Sequence, residues 1–157
     1  MTVKTYFEPH GVFNIERIGN IISIAASGAW NKEGMKVVIC EILSSVHREN
    51  LCEWSLLTDI REFELGTPDF QVEGSIGKQK LVAAGLKKAA YICDIENICK
   101  IRQLQDMVPS SYQWKLFNEM GRALQWLQQD RVPDALFKSS HNSYLPYSFF
   151  VKLTPFR

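Results

Sequence analysis

The stretch Trp54-Ser-Leu-Leu-Thr-Asp59-Ile-Arg61 constrains the fold more than any other part of the chain. It reads as a buried strand that runs into an acidic loop. One amphipathic helical pattern precedes it, and two further strand–helix patterns follow. Alternation of this kind predicts an α/β domain.

The flanking segments sharpen that expectation. Phe13–Ile18 and Ile21–Ser27 carry strand-type residues, and Gly19-Asn20 between them predicts a tight antiparallel hairpin that ends at Gly28-Ala-Trp30-Asn31. Asn31 is a good N-cap because its side-chain oxygen can accept from a free helical N–H. Glu33 suits the positive end of that helix. Met35, Val38, Ile39, Ile42 and Val46 recur at helical spacing and form one apolar face, with the end expected near Glu49-Asn50. Thr67-Pro68-Asp69 predicts a second helix start: a capping hydroxyl, a proline at the first helical position and an acid in the first turn. This helix should run to about Ala84 and stop at Gly85. Gly74 and Gly77 within it signify either close packing on a neighbour or simple loosening, each costing about 1 kcal/mol relative to alanine.

Ala89-Ala-Tyr-Ile-Cys93 reads as another buried strand, closed by Asp94, and Ile95, Ile98, Ile101 and Leu104 suggest a short helix. After the break at Pro109-Ser-Ser, the alternation in Tyr112-Gln-Trp114-Lys-Leu116-Phe117 favours a strand over the helix that Ser110 and Gln113 would cap. Asn118 is then expected to cap a final helix with Met120, Ala123, Leu124 and Leu127 on its inner face.

At 157 residues the chain suits one domain with a full core, and its 46% hydrophobic and 22% charged residues are ordinary for a globular protein. The formal net charge is +1. A nucleic-acid footprint needs basic residues gathered on one face, and the densest pair, Lys87-Lys88, reads as a solvated strand end. Met1-Thr-Val-Lys4 is not followed by an apolar signal region, and no apolar run reaches the roughly 20 residues of a membrane span. A cytoplasmic location is expected. Cys40, Cys52, Cys93 and Cys99 match no metal or dithiol spacing and read as structural thiols, with a disulfide bridge as the lesser reading.

Residues 1–129 thus form the expected domain, and 130–157 differ from it. Pro133, Pro146 and Pro155 fall there, together with Phe137, Tyr144, Tyr147, Phe149, Phe150 and Phe156. So much apolar surface calls for cover. Phe149-Phe-Val-Lys-Leu153 is a candidate strand. The extension packs either on its own domain or, as an exchanged arm, on a partner subunit.

The order hairpin, helix, strand, helix, strand, helix, strand, helix resembles the SpoIIAA-like superfamily of STAS domains over roughly residues 10–128. Gly28-Ala-Trp30-Asn31-Lys-Glu33, Gly85-Leu-Lys-Lys-Ala-Ala90 and Phe117-Asn-Glu-Met-Gly-Arg-Ala123-Leu-Gln-Trp126-Leu127 add to the likeness. The last looks like the closing helix of bacterial STAS-like proteins of uncharacterised role. The resemblance implies a mixed β-sheet of about five strands with helices mainly on one face. It also implies a fold similar to that of the CRAL-TRIO lipid-transfer domains. The anti-sigma-factor antagonists of that superfamily carry a phosphorylated serine in an Asp-Ser-Ser-Gly pattern after the central strand. Here the region reads Asp59-Ile-Arg-Glu-Phe-Glu-Leu-Gly-Thr67, so no residue inherits that role.

Candidate chemistry is sparse. Asp59, Arg61, Glu62 and Glu64 follow the central strand, where ligands of open α/β sheets often sit. They are either an acid–base pair of carboxylates or a plain surface ion pair. His10, His47 and His141 have no ligand spacing, and no phosphate-binding glycine loop is present. Trp30, Trp54, Trp114 and Trp126 either pack the core or line an apolar pocket. The expectation is a non-enzymatic protein-interaction or regulatory domain with no cofactor or metal. Trp30, Asp59, Arg61, Glu62, Phe149 and Phe150 form its candidate surface, and a protein partner or homodimer its counterpart. The alternative is a carrier of a small apolar ligand such as a lipid, in a pocket under the helices or the tail. An enzyme using Asp59 or Glu62 is the third class.

Overall fold

Gly19, with φ of 64°, turns the chain between β1 (Val12–Ile18) and β2 (Ile21–Trp30), which pair antiparallel from Val12↔Ser27 to Ile18↔Ile21. The structure is a computed structural model that describes residues 8–94, 96–107, 112–129 and 149–152. β2 continues past the expected hairpin end because its last residues gain a second partner. That partner is β4 (Phe63–Gly66), parallel to β2 and lying in the stretch read as an acidic loop. Four residues with one buried side chain, Phe63, are too few to show a period in sequence.

Asn31 caps α1 (Lys32–Arg48), accepting from the Gly34 N–H at 2.9 Å. The five apolar residues expected on its inner face are all buried. β3 (Trp54–Asp59) then lies between β2 and β5 (Leu86–Ile92), parallel to both, so the anchoring segment is a central strand. α2 (Pro68–Ala83) and α3 (Ile98–Asp106) precede β5 and β6 (Gln113–Phe117), and β6 adds parallel to β5. α4 (Met120–Gln128) follows, and β7 (Phe149–Lys152) pairs antiparallel with β1. The order is β6-β5-β3-β2-β1-β7, with β4 beside β2. This gives six strands in the main path, where about five were expected. Of the C-terminal extension, 130–148 and 153–157 lie outside the described residues.

Side chains alternate across a strand, so neighbouring residues of β3 enter different cores. Trp54 and Leu56 join a large core with α1, α2 and α3. Leu57 joins Ile21, Ala90 and Ile92 under Ala123 and Leu127 of α4. Three helices cover one face and α4 covers the other. Gly77 settles the question of the α2 glycines: an added Cβ would stand 2.6 Å from Ile39 of α1, so glycine permits the close approach of these helices.

Several local features differ from the expectation. Glu119, not Asn118, occupies the N-cap of α4, without a side-chain bond, and Met120 is 38% exposed at the outer edge of the helix. Thr67 does cap α2 by position, but its hydroxyl donates to Asp69 and makes no bond to the helix backbone. Lys88 is buried rather than solvated, because its ammonium lies 5.0 Å from the centre of the Trp126 ring on α4. Of the cysteines, only Cys93 is buried; Cys40, Cys52 and Cys99 are exposed free thiols.

Gly85 holds the turn into β5 at φ of 98°, where a Cβ would stand 2.0 Å from the Cys52 carbonyl oxygen. Gly85→Ala is expected to destabilise the domain by about 2 kcal/mol or more in urea denaturation. Gly121→Ala, in α4 with nothing within 4 Å of the added methyl, should instead stabilise it by up to about 1 kcal/mol.

Candidate functional site

A cavity lies between the sheet and helices α1, α2 and α3. It is partly open to solvent, and its volume is about 80 Å³. Ile24 and Ala26 of β2, Leu56 and Thr58 of β3 and Tyr91 of β5 form its floor. Met35, Val38, Ile39 and Ile42 come from α1, and Leu104 and Met107 from the α3 side. Trp30, Phe63 and Phe70 make an aromatic corner, with Trp30 and Phe70 centred 6.4 Å apart and Phe63 stacked on Phe70 at 5.6 Å. The Trp30 indole N–H donates to the Ser27 carbonyl at 2.9 Å, which fixes its ring at the cavity wall.

Four polar side chains reach this apolar space, and two are committed to backbone. Lys100 Nζ donates to the Arg61 carbonyl at 2.8 Å. Gln103 spans β4, donating to the Gly66 carbonyl at 2.9 Å and accepting from its N–H at 3.1 Å. The other two face the cavity from α2 and β3. Lys78 is only 7% exposed, and its ammonium donates to the Tyr91 hydroxyl at 2.5 Å. Tyr91 is in turn 3.2 Å from the Tyr112 hydroxyl. Thr58 sits directly across the ladder from Tyr91, and its Oγ1 is buried without a hydrogen-bond partner among the described residues. No aspartate or glutamate lines the cavity.

Burial governs the titration of this group. It pushes the Lys78 amine down to about 8. It raises the Tyr91 phenol well above its ordinary value, helped by Tyr112, and raises Tyr112 despite the bond from Tyr91. All three therefore resist the charge they would carry in water.

The residues singled out in sequence divide. Trp30 lines the cavity, whereas Trp54, Trp114 and Trp126 do not. Trp54 is core and donates to the Ala84 carbonyl, Trp114 packs edge-on to Tyr91, and Trp126 packs on Phe117 beyond the other face. Asp59 ends β3 and is clasped by Arg61, with Nη2 at 2.6 Å and Nε at 3.0 Å. Partial burial pushes its carboxyl up, but the hydrogen bonds and charge of Arg61 outweigh this and hold it below its ordinary value. Glu62, in the loop, and Glu64, in β4, are exposed, so this end of the sheet presents an ion pair and solvated acids. Phe149 and Phe150 fall in β7, across from Ile15 and Asn14. His10 and His47 lie apart from the cavity, and His141 is outside the described residues. Among the described residues no three His, Cys, Asp or Glu side chains gather as a metal site, and no helix is long and apolar enough to cross a membrane.

No family model and no curated protein sequence matches the chain. Solved structures do. An uncharacterised DUF3478-family protein from Shewanella loihica, with a SpoIIAA-like fold, superposes with a TM-score of 0.58 at 20% identity, over 78% of this chain and 98% of that one. The protein TM1081 does so with a TM-score of 0.56 at 9% identity, over 82% and 98%.

The fold is SpoIIAA-like.

In this SpoIIAA-like domain the sequence reading missed Lys78, Tyr91, Thr58 and Tyr112 as a group. One signal was present. Phe70, Gly74, Gly77, Lys78 and Leu81 form the buried stripe of α2, so Lys78 is a charged residue on an apolar face. The two phenols and the threonine carry no such mark, since only tertiary pairing brings them to Lys78.

The Lys78 shift makes a stability statement. Folded chains release this proton near pH 8, whereas unfolded chains hold it to about 10.4. Between those values the unfolded state binds more protons, so stability rises with pH; below pH 8 the full cost of burying the charge is present. Above about pH 10 the raised phenols act in the opposite sense, since the unfolded state loses their protons first. Lys78→Met is expected to raise stability at pH 7 by up to about 3 kcal/mol and to abolish the rise between pH 8 and 10, read from urea denaturation at pH 7 and 9.5.

Proposed function

We propose that the chain is a non-catalytic binding domain that holds one small, mostly apolar molecule in the cavity under α1, α2 and α3. The carrying observation is the cavity itself: apolar walls with very few polar groups aimed inward, the make-up of small-molecule sites. The fold supports a defined pocket here, because three helices and four strands fix its lining side chains. The carboxylates at the end of β3 give a catalytic reading little support, as Asp59 is held ionised by Arg61 outside the cavity. A regulatory role would follow from ligand occupancy. The reading in which Phe149 and Phe150 anchor a protein partner is weaker, since β7 already takes its backbone partner from β1 of the same chain.

The volume limits the occupant. A cavity of about 150 Å³ holds benzene, and this one measures about 80 Å³. The cavity is partly open to solvent, so it encloses only a few carbons and a longer occupant would project from it. Hexan-1-ol, a neutral probe of suitable girth, should bind saturably to the full chain by titration calorimetry. Met35→Trp, which sets an indole in the space, should weaken it at least about tenfold, as expected when a buried apolar side chain's worth of burial is lost. Equal binding by both proteins would place the probe elsewhere and remove the reading.

A further inference from the structure

The polar end of the cavity is cationic and lacks an anion. Lys78 comes from α2 and reaches Tyr91 of β5; Tyr112, before β6, stands behind Tyr91. The α1 residues that face the cavity are Met35, Val38, Ile39 and Ile42, none of them charged. Lys100, from α3, adds a second cation and is held by loop carbonyls. The nearest acid of α2 along its buried side, Glu73, pairs with Lys36 of α1 at 4.0 Å. An ammonium has three donors and no acceptor. Among the described residues Lys78 uses one of them, on a neutral phenol. The Thr58 hydroxyl, directly across the ladder from Tyr91, is a further donor with no acceptor among the described residues.

We infer that the molecule held in this cavity is a short-chain monocarboxylate, its carboxylate accepting from Lys78 Nζ and Thr58 Oγ1 and its apolar body lying against Trp30 and Phe70. This rests on the binding reading above and deepens it. A buried cation without a counter-charge is costly, and a carboxylate supplies charge and acceptors at once. Two cavity donors match the two oxygens of a carboxylate. A phosphate ester, with more oxygens and up to two charges, would leave acceptors unmet in an apolar space. The enclosed volume suits about three carbons, and the end of a longer chain would project through the open side of the cavity.

Hexanoate, hexan-1-ol and pentyl phosphate would be titrated into the intact chain by calorimetry at pH 6.5. Hexanoate should bind at least about tenfold more tightly than hexan-1-ol, the expected value of a charge-assisted bond in a buried site. The preference should shrink at pH 9.5, above the value near 8 of the free Lys78 amine. Lys78→Met should lose hexanoate by about tenfold or more and remove the preference for the acid over hexan-1-ol. Thr58→Val, which leaves the cation in place, should weaken hexanoate severalfold and serves if Lys78→Met does not fold. Equal affinity for acid and alcohol overturns the carboxylate assignment but leaves the apolar pocket standing, as does tighter binding of pentyl phosphate. Hexanoate binding untouched by both substitutions also overturns it. Failure of all three probes to bind overturns the pocket as well.

Discussion

The burial of β3 on both faces governs the architecture. Leu56 and Leu57 are adjacent, both lose essentially all contact with water, and they point in opposite directions. Each face must be covered, and a parallel strand can only be reached through a crossover, so helices are placed there by connectivity as well as by burial. α1 and α2 supply one cover. α4, arriving after the last parallel strand, supplies the other. The cavity is a by-product of that layering. Small floor residues, Ala26 and Thr58, meet helices whose mutual spacing is set by Gly77 against Ile39, and the space between is incompletely filled.

The elements with a strong local signature were legible from sequence. The Gly19-Asn20 reversal, the Asn31 cap, the apolar face of α1, the Thr67-Pro68 start and the choice of strand for Gln113–Phe117 all follow from residues within a few positions of one another. β4 was not legible, because its reason for existing is the free edge of β2 at Gly28 and Trp30, far away in sequence. The same holds for the cap of α4: Asn118 has the right chemistry, yet β6 pairing and the path out of Phe117 shift the helix start by one residue.

The site was less legible than the fold for a related reason. Carboxylates at a strand end attract notice because their chemistry is evident one residue at a time. The cavity's polar group is assembled from α2, β3, β5 and the approach to β6, and only the ladder places Thr58 opposite Tyr91. Lys78 alone broke a local rule, a charge on a buried stripe. Departures of that kind, where pattern and residue disagree, tend to fall at sites a protein keeps for reasons other than stability.

The pairing of β7 with β1 has a consequence for how the chain is made. Val12 meets Lys152, so β1 finds its outer neighbour only after every other described strand of the sheet has been made. Until then β1 offers a row of open amide and carbonyl groups to any extended segment nearby, the situation in which nascent chains cross-pair and clump. Closing that ladder is a long-range step of the slow sort, and among the described strands it is the last pairing that synthesis allows to form.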